Sequence, residues 1–194
     1  MPKRARIRQP QIPDSENQTS DITKSDIAPT PAPVKTTLLV LNSVFLFACA
    51  SMYLGTGWSL ILFSFPIVPQ LTPANYYLAF VPEVAAATHF FTGMTIAMLV
   101  SAIIMAIAEW KTGYLWAPVV VLLAVVAATV LTERSIFPLN TQMSAGIKDP
   151  GELQTILAHW TGLNKVRVWM WTAEWAAMMA YFACRARSAT QEAT

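Results

Sequence analysis

Residues 77–110 read YLAFVPEVAAATHFFTGMTIAMLVSAIIMAIAEW, and the only Asp, Glu, Lys, Arg or His residues among them are Glu83, His89 and Glu109. A transmembrane helix needs about 20 predominantly apolar residues. This run exceeds that length by about ten residues, so we expect the helix to tilt or to project beyond the hydrocarbon. The segment therefore predicts an integral membrane protein.

Three further apolar segments, at residues 36–65, 114–132 and 162–184, are also long enough to cross a bilayer. The last of them ends on Arg185 and Arg187. We predict an all-α fold, an integral membrane four-helix bundle formed by residues 36–186. The chain leaves no room for a second globular domain.

The composition supports this class. Hydrophobic residues make up 55% of the chain and charged residues 12%, against about 25% in soluble domains. The net charge of +2 is too small to indicate nucleic-acid binding. The sequence has no glycine-rich phosphate loop and no nucleophile elbow, and Cys49 and Cys184 suit buried apolar positions. These features argue against nucleotide enzymes and serine hydrolases.

Both ends of the chain are polar. Residues 1–35 are rich in Pro, Ser, Thr, Asp and Lys and have no apolar period, so we expect a disordered N-terminal tail. Its basic cluster is followed by polar residues rather than by the apolar core of a signal peptide, which makes the segment from Thr36 a retained first span. Residues 187–194 are expected to be flexible.

The distribution of lysine and arginine predicts the orientation. The basic tail, Lys111, Arg185 and Arg187 fall on one side of a four-span arrangement, while the loop at residues 66–76 on the other side has no charge. By the positive-inside rule, both termini are expected to be cytoplasmic.

The longest predicted connection is a loop at residues 133–160 that contains an interfacial helix. Asp149, Pro150 and Glu152 stand in the order of an N-cap, a first-turn proline and a third-position glutamate. We expect this helix to lie at the membrane surface and to turn into the fourth span near Gly162.

One face of the fourth segment is polar. Its members recur at alternating steps of four and three, the spacing of one helical face: Trp160, Asn164, Arg167, Trp171, Glu174, Met178 and Tyr181. Charged side chains facing lipid cost several kcal/mol, about 2.5–3.5 on insertion scales. We therefore expect this face to point into the bundle.

The predicted topology brings other polar residues to the same half of the bundle. Glu83 lies at the depth of Arg167, and His89 at the depth of Glu174, so two ion pairs are predicted. Two interpretations remain open: a buried polar network that fixes helix packing, and a pocket open to the non-cytoplasmic side. A metal site built from Glu83, His89, His159 and Glu174 is a minor alternative, since no local two-ligand spacing supports it.

Pro138-Leu139-Asn140 is followed about twenty residues on by the stretch from Trp160 to Arg167, which reads WTGLNKVR, and the first span ends with Phe63, Ser64 and Phe65, with Pro69 and Leu71 beyond. These segments resemble the anthrone oxygenase-like family of small membrane proteins. The resemblance extends over about residues 36–185. It implies a four-helix membrane protein, some of whose relatives oxidise polyketide anthrones with molecular oxygen and no cofactor.

Two functional hypotheses follow. In the enzyme hypothesis, an oxygenase acts on an apolar aromatic substrate: Glu174 or His89 is the general base, and Arg167, Asn164 and Asn140 bind the developing oxyanion. The residues expected to complete the substrate site are Trp171, Trp160, Tyr53 and Glu83. In the rival hypothesis, the protein is a non-catalytic accessory subunit whose polar face packs against another membrane protein and whose tail recruits a cytoplasmic partner.

Overall fold

The computed structural model describes residues 34–192. The predicted disordered tail lies outside the described residues, except for residues 34 and 35, whose backbone is already helical. At the other end the last helix continues to Glu192, so residues 187–192 are helical where a flexible end was predicted.

The described chain is all-α and consists of four long helical segments without a strand. The first is helix α1 (Val34–Ser59), continued by a π-turn (Leu60–Ser64) and a 3-10 helix (Phe65–Gln70). The second is α2 (Tyr76–Ala108). The third is α3 (Trp116–Leu131), continued by a π-turn (Thr132–Ile136) into α4 (Phe137–Ala145), and the fourth is α5 (Pro150–Glu192).

Three of these segments, Thr36–Gln70, Tyr76–Ala108 and Trp116–Ala145, are long and apolar enough to cross a membrane. Their outward side chains are large and apolar, as in Leu123, which is 67% exposed. Such a surface is stable only against lipid or another apolar partner. The fold is therefore an integral membrane four-helix bundle, as predicted.

The helices pack in a closed ring, because α1 contacts α2 and α5, and α3 contacts the same two helices. Two hydrophobic clusters fill the bundle. A central core includes Leu46, Met98, Val121 and Met178. A distal core, built where the helices extend beyond it, includes Phe65, Tyr76, Leu139, Leu157 and Trp160.

The region predicted as a loop at residues 133–160 is mostly helical. The third segment continues to Ala145 and the chain turns only over residues 146–149, where Gly146 has a φ of 89°. α5 then runs without a break through Gly162, so no separate interfacial helix exists. The predicted start is confirmed: a carboxylate oxygen of Asp149 accepts a hydrogen bond from the Glu152 N–H at 2.7 Å.

The π-turns explain why both spans continue past their prolines. A proline inside a helix lacks an N–H, and its ring clashes with the carbonyl four residues earlier. For Pro66 and Pro138 those carbonyls belong to residues 62 and 134, which lie inside the two π-turns. The N–H of Phe65 bonds to the carbonyl of Leu60, and that of Phe137 to Thr132, five residues back. The helix widens at each proline instead of ending.

Candidate functional site

The polar face of α5 points into the bundle, as its spacing predicted. Trp160, Asn164, Trp171, Glu174, Met178 and Tyr181 are all buried, and Arg167 is half-buried. Asn164 and Glu174 are 0% and 1% exposed. The face therefore lies where water and lipid are both excluded.

A cavity of about 470 Å³ lies beside this face, between the central and distal cores. All four helical segments contribute to its wall. The aromatic lining residues are Tyr53, Phe80, Phe91, Phe137, Trp160 and Trp171, and the polar ones include Thr56, Ser64, Glu83, Asn140, Arg167 and Glu174. Ligand pockets typically measure 300–1,000 Å³ and combine an apolar lining with a few polar groups.

Both π-turns contribute to this wall. Leu60 and Ser64 of the first and Thr132, Glu133 and Ile136 of the second are lining residues. A π-turn inserts an extra residue into a helix and is frequent at functional sites. Here the two turns shape the cavity from the first and third segments.

A chain of hydrogen bonds holds Arg167 at the cavity wall. The Trp160 Nε1–H donates to Asn140 Oδ1 at 2.8 Å, and Asn164 donates to the Trp160 carbonyl at 2.8 Å. Arg167 donates to Asn164 Oδ1 through Nη2 and to Thr132 Oγ1 at 3.2 Å through Nη1. Arg167 Nε is buried and has no partner among the described residues. The guanidinium is thus positioned through Nη1 and Nη2, while Nε makes no hydrogen bond to the described residues.

Glu174 is the most unusual group in the cavity. Neither of its carboxyl oxygens receives a hydrogen bond from any group within residues 34–192. A buried charge without a partner is costly, since its hydration is lost and nothing replaces it. The position suits a group that binds a ligand or exchanges a proton with one.

Aromatic rings form the wall between these two residues. The Tyr53 ring lies 4.8 Å from those of both Trp171 and Phe91, measured between centroids. The Arg167 guanidinium carbon lies 4.7 Å from the centroid of Trp171, a cation–π distance. The Tyr53 hydroxyl bonds to the Phe91 carbonyl at 3.1 Å and meets Thr95. Trp171 and Tyr53 therefore line the cavity, and their role in binding a ring stays a prediction.

The predicted ion pairs do not form. Among the described residues the only ion pair within 4.0 Å joins Arg185 and Glu109, so neither Glu83–Arg167 nor His89–Glu174 is present. Glu83 lines the cavity but is exposed. His89 is exposed and is not among the residues that line the cavity.

The structure also gives no support to the metal alternative. His159 is exposed, away from the cavity lining. No group of three His, Cys, Asp or Glu residues within residues 34–192 could hold a metal ion.

The cavity opens between α2 and α3. Its exposed lining residues are Glu83, Thr92 and Ile96 of α2 and Glu133 at the end of α3, whereas those from α1 and α5 are buried or half-buried. The opening therefore faces sideways, across the bundle axis.

A second polar cluster, at the opposite end of the bundle, was missed from the sequence. Glu109 directly follows the span Tyr76–Ala108, is 4% exposed, and accepts hydrogen bonds from Arg185, Tyr181 and Thr112. Desolvation raises the pKa of Glu109, but the three hydrogen bonds and the charge of Arg185 outweigh it and hold the pKa below its ordinary value. The cluster ties the α2–α3 turn to α5. The sequence signal that could have indicated this cluster is that Glu109 and Arg185, one acidic and one basic, end two predicted spans on the same side of the membrane.

Gly57 was also missed. A Cβ built on it would lie 2.8 Å from Trp171 Cε3 and 2.8 Å from Val168 Cγ2. α1 therefore approaches α5 closely enough that only glycine fits, which seats Trp171 at the cavity wall. A glycine within an apolar span is the usual sign of such close helix packing.

Comparison of the chain with protein-family models, curated sequences and solved structures found no match.

Proposed function

We propose that the protein is an oxygenase-type oxidoreductase that acts on an apolar aromatic substrate in the non-cytoplasmic half of the bundle. Molecular oxygen is the co-substrate and no cofactor takes part. The observation that carries the proposal is Glu174, a lining residue of the aromatic cavity of about 470 Å³, whose buried carboxyl oxygens have no hydrogen-bond partner among the described residues. A catalytic base must come within hydrogen-bond reach of the proton that it takes, so substrate binding has to bring this covered carboxyl group to the cavity surface.

In this proposal Glu174 takes a proton from an acidic C–H of a fused-ring substrate. Arg167 lies seven residues away on the same face, about 10 Å along the helix, so a multi-ring molecule can contact both. The Arg167 guanidinium, at the cavity wall, stabilises the oxyanion formed at the substrate carbonyl. Oxygen then reacts with the electron-rich anion, so that CH₂ and O₂ become C=O and H₂O.

The remaining residues position these two groups. Trp171 and Tyr53 contact the rings of the substrate, and Asn140 and Asn164 hold Arg167 through the hydrogen-bonded chain. Two of the segments that resemble the anthrone oxygenase-like family meet in this chain of hydrogen bonds, since Asn140 belongs to one segment and Trp160 to the other. That contact supports the resemblance. Glu174 is assigned as the base in preference to His89, which lies on the outside of α2.

The test is aerobic oxidation of a hydroxylated anthrone by the protein in lipid nanodiscs, followed by oxygen uptake and quinone absorbance. Glu174→Gln keeps the shape and removes the base, so the rate should fall by about 10²–10⁴. Glu152→Gln, an exposed carboxyl outside the cavity, is the matched control and should keep full activity. His89→Gln separates the two candidate bases.

A wild-type rate no faster than autoxidation without protein would contradict the proposal, as would full activity in Glu174→Gln. The first result would favour the accessory-subunit hypothesis. In that hypothesis the hydrogen bonds that connect Asn140 to Thr132 hold the bundle together, and other membrane subunits bind its surface.

A further inference from the structure

The cavity has a side opening, and the surfaces around it indicate how a ligand reaches Glu174. We infer that ligands enter laterally from the bilayer between α2 and α3, through a portal whose lower edge is formed by Thr92 and Ile96. The inference rests on the proposed function in that it concerns the same cavity, and it adds the route and the class of molecule admitted.

The distal core closes the cavity toward the water-exposed end of the bundle. Ile136 and Trp160 are 1% and 2% exposed and lie between the cavity and that end. The Tyr76 hydroxyl donates to the Met143 carbonyl at 2.9 Å and accepts from the Ile147 N–H at 2.6 Å. These bonds hold the loop after α4 over the distal core, so among the described residues this end of the cavity is covered by buried side chains.

The central core closes the other end. Met98, Ala102 and Val121 are each fully buried, and they pack α2 against α3 and α5 directly below the cavity. Packed interiors contain few voids larger than a water molecule. The portal is thus the one route into the cavity that the described residues leave open.

The portal lies at the depth of the apolar surface. On α2, Val100 and Ile103 follow Ile96 along the same face and are exposed; on α3, Val126 and Val130 are also exposed. Exposed apolar side chains on both helices place this part of the opening against lipid chains rather than water. A molecule dissolved in the hydrocarbon therefore meets the portal directly.

The upper rim of the portal selects among such molecules. Glu83 and Glu133, both exposed, lie on the two sides of the opening nearest the membrane surface. Carboxylates at this position repel the headgroups of fatty acids and anionic lipids. The portal therefore suits an uncharged apolar molecule whose hydrogen-bonding group becomes engaged only inside, at Glu174 and Arg167.

The test uses (trifluoromethyl)phenyldiazirine, an uncharged aromatic probe that partitions into bilayers. On irradiation it loses dinitrogen, and the resulting carbene inserts into a neighbouring C–H or O–H bond. The full-length protein in nanodiscs is irradiated, and labelled peptides are located by mass spectrometry. Labels are expected on cavity residues such as Phe91 and Trp171, as well as on lipid-facing side chains.

Ile96→Trp narrows the portal and should remove most of the label from Phe91 and Trp171. Ile103→Trp, exposed on α2 but outside the cavity lining, is the matched control and should leave that label unchanged. Thr92→Trp is a second blocking variant in case the first unfolds, and melting curves check both. Surface labelling on α1 serves as the internal reference.

The outcomes separate the two proposals. Cavity labelling that persists equally in both blocking variants would overturn the portal and leave the proposed function standing. A wild-type cavity that takes no label, while the surface does, would overturn the portal and count against an apolar substrate at Glu174 as well.

Discussion

Replacing Gly57 with alanine tests the close approach of α1 and α5 on which the cavity wall depends. The new Cβ would lie 2.8 Å from both Trp171 Cε3 and Val168 Cγ2. Carbon atoms in contact prefer about 3.5–4.0 Å, so each neighbour must move back by at least about 0.7 Å. Val168 is fully buried, and Trp171 packs at the cavity wall between Tyr53 and the Arg167 guanidinium, so a shift of either side chain disturbs existing contacts.

Overpacking of this kind costs about 1–3 kcal/mol, while alanine gains about 0.5–1 kcal/mol over glycine in a helix. We expect Gly57→Ala to be destabilised by about 1–2 kcal/mol and to perturb the Trp171 environment. Gly55→Ala is the matched control, because its Cβ would meet nothing within 4 Å. That variant should be as stable as the wild type or slightly more so.

The assay is unfolding in mixed micelles, followed by far-UV circular dichroism and by tryptophan fluorescence. Val168→Ala should cost less stability in the Gly57→Ala background than in the wild type, because there it also removes one of the two clashing groups. Equal stability of the two alanine variants, or strictly additive effects in the double variant, would refute the packing argument.

Two further predictions concern the opposite end of the bundle and the topology. Glu109 has a lowered pKa, so its contribution to stability is present above the ordinary carboxyl pKa and is lost as the pH falls through the folded-state pKa. Glu109→Gln should therefore have a lower melting temperature at pH 7 and should lose this acid-dependent step. Parallel pH profiles of melting temperature in wild type and variant would exclude the cluster as the cause of the step. The topology test places single cysteines at Ser144 and at Thr190 in a background without Cys49 and Cys184. If all four segments cross the membrane with both termini cytoplasmic, an impermeant maleimide should label the first cysteine from outside and the second only from inside. Labelling of both from one side would contradict four spans.

The class of fold was predictable because it depends on the amount and spacing of apolar residues. The inward face of α5 was predictable for the same reason, since spacings of three and four leave one geometric outcome for Asn164 and Glu174. Both predictions depend on the local spacing of apolar and polar residues, which can be read from a single sequence.

The errors have a different origin. Depth along two helices was used to pair Glu83 with Arg167 and His89 with Glu174, but depth does not determine the rotation of a helix about its axis. Because α2 is apolar on nearly every side, its sequence indicates no preferred inward face, and His89 is exposed in the structure. The close contact at Gly57 likewise depends on the partner helix, which no local pattern specifies.

Two prolines, Pro66 and Pro138, lie where the structure departs from the predicted helix ends. The first span was predicted to end at residue 65, just before Pro66, and Pro138 was placed in the loop predicted after the third span; a proline inside a helix removes a backbone donor and clashes with the preceding turn. Each is instead preceded by a π-turn that absorbs the clash, and both π-turns line the cavity. The residue that would otherwise break each helix therefore widens it beside Arg167, where Thr132 accepts a hydrogen bond from the guanidinium. In this protein the positions at which sequence reasoning about helix ends failed are positions at which the candidate site is built, as expected where local preference gives way to function.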